Sequence, residues 1–136
     1  MMIYPAQILK IDNNKYEMRF PDLPGCAAKE YAIEALMKSA KNVIADHLSI
    51  LAEYGEAIPN GSCIDKLITA NDDEIYTWTL VEIDILPFLG KSHKINVTLP
   101  ELLIKRIDDR VNKSESHKTR SGFIANACIQ LLNVDE

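Results

Sequence analysis

The most constraining stretch of this sequence is a short alternating run that has nothing nearby to pair with. In His93-Lys94-Ile95-Asn96-Val97-Thr98-Leu99-Pro100, Ile95, Val97 and Leu99 alternate with Lys94, Asn96 and Thr98, the period of a half-buried strand. Pro100 presets φ for a first helical turn, and Glu101 suits the positive end of that helix. The spacing predicts one helix over about 100–113, with Leu103, Ile104, Ile107 and Val111 on a stripe. A polar turn at 114–118 follows. A second helix starts near Thr119, a good N-cap, and carries Phe123, Ile124, Ala127, Cys128, Leu131 and Leu132 on its apolar side. One strand cannot satisfy its own backbone, and about 45 residues make a poor independent core. Pairing the strand with its copy in a second chain completes a two-stranded antiparallel ribbon and closes a four-helix core. An intertwined strand-helix-helix dimer is the expected form.

Such a ribbon displays Lys94, Asn96 and Thr98 from both chains, and it fits the major groove of B-DNA. Asn can pair bidentately with adenine, Lys can reach guanine acceptors, and the Thr methyl can touch thymine. These three are the candidate base-reading residues. Lys118, Thr119, Arg120, Ser121 and Gly122 are the candidate phosphate ligands, because a helix N-terminus offers amides and hydroxyls beside basic side chains. Gly122 stands where a capping box would place Glu or Gln, so no carboxylate crowds a phosphate there.

The overall charge of −5 over 136 residues points away from nucleic acid, but the total hides two halves. Residues 1–90 hold 7 basic and 14 acidic side chains, a net −7. Residues 91–136 hold 8 and 6, a net +2. That asymmetry suggests modules with different partners. Cys26, Cys63 and Cys128 are scattered without a CxxC pair, which suits a reducing compartment; Cys128 is expected to be a small core residue. His47, His93 and His117 show no metal-ligand spacing. The N-terminus is too short and polar for a secretory signal, and no apolar run is long enough to span a bilayer. The expectation is a soluble cytoplasmic protein without metal or cofactor.

In the first part, the β-prone run 3–11 and the alternating Tyr16, Met18 and Phe20 predict a hairpin, with a loop longer than two residues through Asp12-Asn13-Asn14-Lys15. Pro21-Asp22-Leu23-Pro24-Gly25 ends it. Ile33, Leu36, Met37, Ala40, Ile44, His47, Leu48 and Leu51 form one helical stripe, and Gly55 is placed for a left-handed cap. Residues 57–73 read as a loop with at most a turn or two of helix. The run 77–85 is a strand with Thr79, Val81, Ile83 and Ile85 on one face. This is an α+β layer with a helix on one sheet face. Asp22, Glu34, Glu82 and Asp84 could be imagined as a metal cluster, but their spacing does not require one. No nucleophile context or phosphate loop is present, so no catalytic residue is assigned.

Two segments carry a family resemblance. Tyr16-Glu17-Met18-Arg19-Phe20-Pro21-Asp22-Leu23-Pro24-Gly25-Cys26 followed by Glu34-Ala35-Leu36 resembles the N-terminal domain of HicB-type antitoxins. Lys94-Ile95-Asn96-Val97-Thr98-Leu99-Pro100-Glu101 through Arg106-Ile107-Asp108 is similar to the ribbon-helix-helix tail of one branch of that family. Where the family carries Gly and then Thr before the helix, this chain reads Lys29-Glu30-Tyr31-Ala32, one residue shorter. The resemblance implies a partial ribonuclease-H-like β-β-β-α-β domain over 1–86, without catalytic carboxylates. A linker at 87–93 and a ribbon-helix-helix DNA-binding domain over 94–136 would follow.

The same resemblance implies an antitoxin. Its first domain would bind and block a small HicA-like RNA-cleaving toxin, at residues left unassigned. Its second would bind operator DNA and repress its own operon as a homodimer or a tetramer. The acidic first half suits a partner that must itself attract RNA. Two other readings stay open. One is a stand-alone regulator whose acidic domain senses a ligand. The other is a surviving ribonuclease-H-like nuclease, which metal-dependent RNA cleavage by the purified chain would reveal.

Overall fold

The computed structural model describes residues 1–68, 74–114 and 119–132. The chain divides into two units, Met1–Leu89 and Gly90–Glu136. The first holds β1 (Met2–Asp12), β2 (Lys15–Arg19), β3 (Ala27–Glu30), α1 (Ile33–Glu53), the single turn α2 (Ile64–Leu67) and β4 (Thr77–Ile83), then a 3-10 turn at Leu86–Phe88. The second holds α3 (Glu101–Lys113) and α4 (Arg120–Leu132). Among the described residues no helix is long and apolar enough to cross a membrane.

All pairings in the sheet are antiparallel, in the order β3-β2-β1-β4. Register decides its buried face. Ile8 opposes Met18 and Met18 opposes Ala28, while Tyr4 opposes Val81 and Met2 opposes Ile83. Met2, Tyr4, Ala6, Ile8, Met18, Val81 and Ile83, which share one face of the pleat, are all buried, and Pro5, Leu9 and Glu17 are buried on the other. Against this face α1 packs over β2, β3 and β4, burying Leu36, Ala40, Ile44 and Leu48 at four-residue steps. Each of the larger side chains contributes about 1.5–3 kcal/mol by leaving water. Ile33, His47 and Leu51 flank the stripe half-buried, whereas Met37 is exposed, one position too far round the helix. Ile85, beyond the end of β4, is buried as expected.

The hairpin loop is shorter than expected. Asp12 pairs with Lys15, leaving only Asn13-Asn14 between the strands, and the register shifts between Lys10 and Asp12. No residue other than glycine has positive φ among the described residues, so the mirror-image turns that suit two-residue hairpins are not used. The irregularity at Ile11 supplies local twist instead. Pro5 is tolerated in β1 because β2 pairing begins only at Gln7, so its missing amide removes no bond to β2.

The shortened segment before α1 still accommodates β3. Its cost appears at the helix start, where Ala32 is the N-cap and provides no side-chain bond. The other end is well closed. Gly55 adopts φ +69, its amide donates to the Ala52 carbonyl, and the Glu56 amide donates to Leu51, which together make a Schellman cap.

The loop after α1 is pinned to the sheet. Tyr4 donates its hydroxyl to the Pro59 carbonyl at 2.6 Å, and the Ser62 amide donates to Asp22 Oδ2 at 2.8 Å. Gly61 lies so close to β1 that a Cβ there would sit 1.8 Å from the Ile3 carbonyl oxygen. Burial, with the Asp22 charge adding to it, pushes the Tyr4 hydroxyl pKa up to about 12. Burial alone lifts the Cys26 thiol to about 11.

Candidate DNA-binding and partner surfaces

Residues 90–100 belong to no helix or strand. The strand expected at 93–99 is therefore not formed within one chain. Strands are stabilised by ladder bonds, and no other strand occurs among the described residues of this unit. Lys94, Asn96 and Thr98 are exposed, but so are Ile95 (79%) and Val97 (66%). Of the three apolar residues of the segment only Leu99 is half-buried in one chain.

The helices show the same deficit. Ile107 and Ile129 are buried, with Asn126 beside them, and Ile104, Val111, Phe123 and Ile124 are half-buried. Leu102, Leu103, Leu131 and Leu132 are exposed, as are Ala127 and Cys128. Two expectations are corrected here. Cys128 is not a core residue of the single chain. The inward line of α4 runs through Asn126 and Ile129 rather than through the wider stripe, because two helices can cover only a narrow strip of each other.

The turn into α4 is built by its cap. Thr119 Oγ1 accepts the Gly122 amide at 3.0 Å, and its carbonyl accepts the Phe123 amide at 3.0 Å. A Cβ at Gly122 would approach Thr119 Oγ1 to 3.1 Å, tighter than an ordinary contact. The amides of Arg120 and Ser121 belong to the first helical turn, where a helix turns its backbone donors toward acceptors outside itself. Thr119, Arg120, Ser121 and Gly122 are thus adjacent at one helix end, while Lys118, with 115–117 of the expected polar turn, lies outside the described residues. Pro100 caps α3 with φ −58, and its carbonyl accepts the Ile104 amide. It precedes the helix rather than opening it.

Arg120 does not simply face solvent. Its Nε donates to Asp108 Oδ1 at 3.0 Å and its Nη2 to Asp108 Oδ2 at 2.8 Å. This parallel fork joins α4 to α3. The bonds from Arg120 hold the Asp108 carboxyl below its usual range. Nothing in the pattern of single helices marked this pair, since its members lie twelve residues apart across a turn.

In the first unit the carboxylates have separate employments. Asp22 holds the loop at Ser62. Glu17 is buried and paired with Arg19 and, at 3.7 Å, with Lys29. Glu82 is exposed, and Asp84 accepts the Leu86 amide at 3.0 Å. Among the described residues no group of three or more His, Cys, Asp or Glu is placed to hold a metal ion.

Residues 4–128 match the family described as HicB-like antitoxin of bacterial toxin–antitoxin systems. The chain belongs to that family. Its fold is similar to the crystal structure of the Burkholderia pseudomallei antitoxin HicB, with a TM-score of 0.71 and 33% identity, covering 98% of this chain and 100% of that one. A second HicB-like match is a chain of the HicA3 and HicB3 toxin–antitoxin complex, with a TM-score of 0.52 and 29% identity over 61% of this chain and 99% of that one. An uncharacterized 14.9 kDa protein from the rep-hol intergenic region of Haemophilus phage HP1 is 33% identical over 124 residues, 91% of this chain and 92% of that protein.

Proposed function

We propose that this HicB-like chain neutralises a small HicA-like RNA-cleaving toxin with its first unit and represses its own operon with its second. The observation that carries this reading is the end-to-end similarity to the Burkholderia antitoxin. It includes both the sheet-and-helix unit and the helical tail. A relative of the first kind in complex with HicA3 supports a HicA-like toxin as the partner. The net −7 of residues 1–90 favours attraction to a protein that itself binds RNA. The chain acts by binding, not by turnover.

For the second unit, we read residues 94–99 as one half of a ribbon completed by a second copy, with linker residues 87–93 joining it to the toxin-binding domain at 1–86. Exposure of Ile95, Val97, Leu102, Leu131 and Leu132 in one chain supports this, since a partner would cover them. Lys94, Asn96 and Thr98 then face the major groove. The α4 turn, from Lys118 through Thr119, Arg120, Ser121 and Gly122, meets phosphate. Pairing of these dimers into a tetramer is compatible with the same ribbon.

Co-expression tests the toxin half. The chain should relieve growth arrest caused by the small open reading frame adjacent to its gene, and continued arrest would refute it. For the DNA half, Asn96→Ala should relax base preference at one operator position, at about 1–3 kcal/mol of discrimination. Unchanged preference in a binding-site selection would remove Asn96 from the reading head.

A further inference from the structure

We propose that Asp108 tempers the grip of this chain on DNA by competing with phosphate for Arg120. The inference rests on the DNA-binding reading of the second unit. Arg120 is the first residue of α4, beside the Thr119 cap and within the turn where a phosphate would meet the helix amides. Both donors of its fork point instead at the two oxygens of Asp108. A carboxylate and a phosphate accept an arginine fork in the same bidentate way, so one guanidinium face cannot serve both.

The Arg120 and Asp108 side chains are 55% and 41% exposed, so the pair is open to solvent and to a competing phosphate. The neighbouring acid, Asp109, is exposed and has no such bond to α4. Among the described residues, Asp108 therefore sets the cost of turning Arg120 toward DNA. Once Arg120 leaves, the carboxylate also stands as an uncompensated negative charge near the phosphates. Both effects lower affinity, and they act on contacts that carry no sequence information.

The test uses the full chain, titrated between about 50 and 200 mM salt against its own upstream DNA and a scrambled duplex. Asp108→Asn keeps the side-chain shape and removes the charge. It should tighten binding to both duplexes by roughly two- to fivefold per bound protomer and steepen the log–log salt slope by about 0.9 per protomer. Arg120→Ala leaves the Asp108 carboxylate uncompensated near the phosphates and should weaken the wild type by a similar two- to fivefold. In the Asp108→Asn background it should cancel the whole gain.

Arg120→Lys leaves α3 untouched, keeps the charge and loses the fork. It should shift affinity less than Asp108→Asn does, because Lys loses the fork to phosphate as well as the fork to Asp108. Weaker binding by Asp108→Asn, or an unchanged slope with its melting preserved, would overturn the proposal alone. Wild-type chain that shows no salt-dependent duplex binding would instead remove the DNA reading, and the role of Asp108 with it.

Discussion

The two units draw on similar apolar residues and cover them differently. In the first, β1 lies between β2 and β4, and the α1 stripe closes over the sheet, so Tyr4, Met18, Leu36 and Leu48 are buried within one chain. In the second, Ile107 and Ile129 are buried while four leucines and the alternating segment remain uncovered. An apolar face states that it needs a cover; it does not state whether the same chain provides it. A sheet of four strands has enough backbone and side-chain partners to close on itself. One unpaired segment and two helices do not.

The contrast is broken most directly in the second unit. Ile95→Asp with Val97→Asp places charges where the proposed ribbon meets its core. We expect loss of dimer by sedimentation and loss of duplex affinity by roughly a hundredfold or more, with melting of the first unit unchanged. A dimer that survives would mean that the two units do not differ in the way argued.

Gly61→Ala probes the first unit next. Its Cβ would meet the Ile3 carbonyl, which is backbone and cannot swing aside, so a loss of about 2 kcal/mol or more is expected in chemical denaturation. The loss should be independent of protein concentration, because the contact lies within one chain. A concentration-dependent effect would point to an interface instead.

Smaller again is Thr119→Ala, which removes the cap bond to Gly122 and should cost about 1 kcal/mol of helix stability in the second unit only. Circular dichroism of the full chain against denaturant can follow it.

A further effect is one of pH. Tyr4 holds its proton more tightly when folded, at about 12 rather than the ordinary 10.0. The unfolded chain therefore ionises first. Stability contributed by neutral Tyr4 is whole below pH 10 and is lost as pH rises toward 12. Cys26, raised from 9.0 to about 11, adds a loss of the same sign beginning lower. Tyr4→Phe should flatten the upper part of this decline in a pH series of melting temperatures; an unaltered curve would show that Tyr4 does not contribute to it.

Much of the first unit was legible because its signals are local and periodic. Alternation at Tyr16, Met18 and Phe20, four-residue steps in α1 and a glycine at its end each describe one element without reference to another. Met37 was misplaced because a stripe drawn from apolar identity is wider than the surface a sheet can cover. Asp12 and Lys15 look like turn residues in the sequence but belong to the strands, because pairing is decided across them. Gly61 gave no hint of its role. A glycine beside Asn60 in a turn-rich loop is ordinary until β1 is seen beneath it.

For the candidate site, the residue types of the α4 turn and the cap at Thr119 followed from the chain alone, since a cap depends on neighbours within three positions. Cys128 could not be placed from helical periodicity, because that gives a face and not its neighbour. What the sequence determined by itself was the helices, the hairpin and β4 of the first unit, and the division of charge, all properties of nearby residues. Only the tertiary structure decided that the loop at Gly61 rests on Ile3, and that Asp108 already holds the arginine expected for phosphate. Both are contacts between distant segments, and a contact of that kind is specified by the packing of whole elements rather than by either residue.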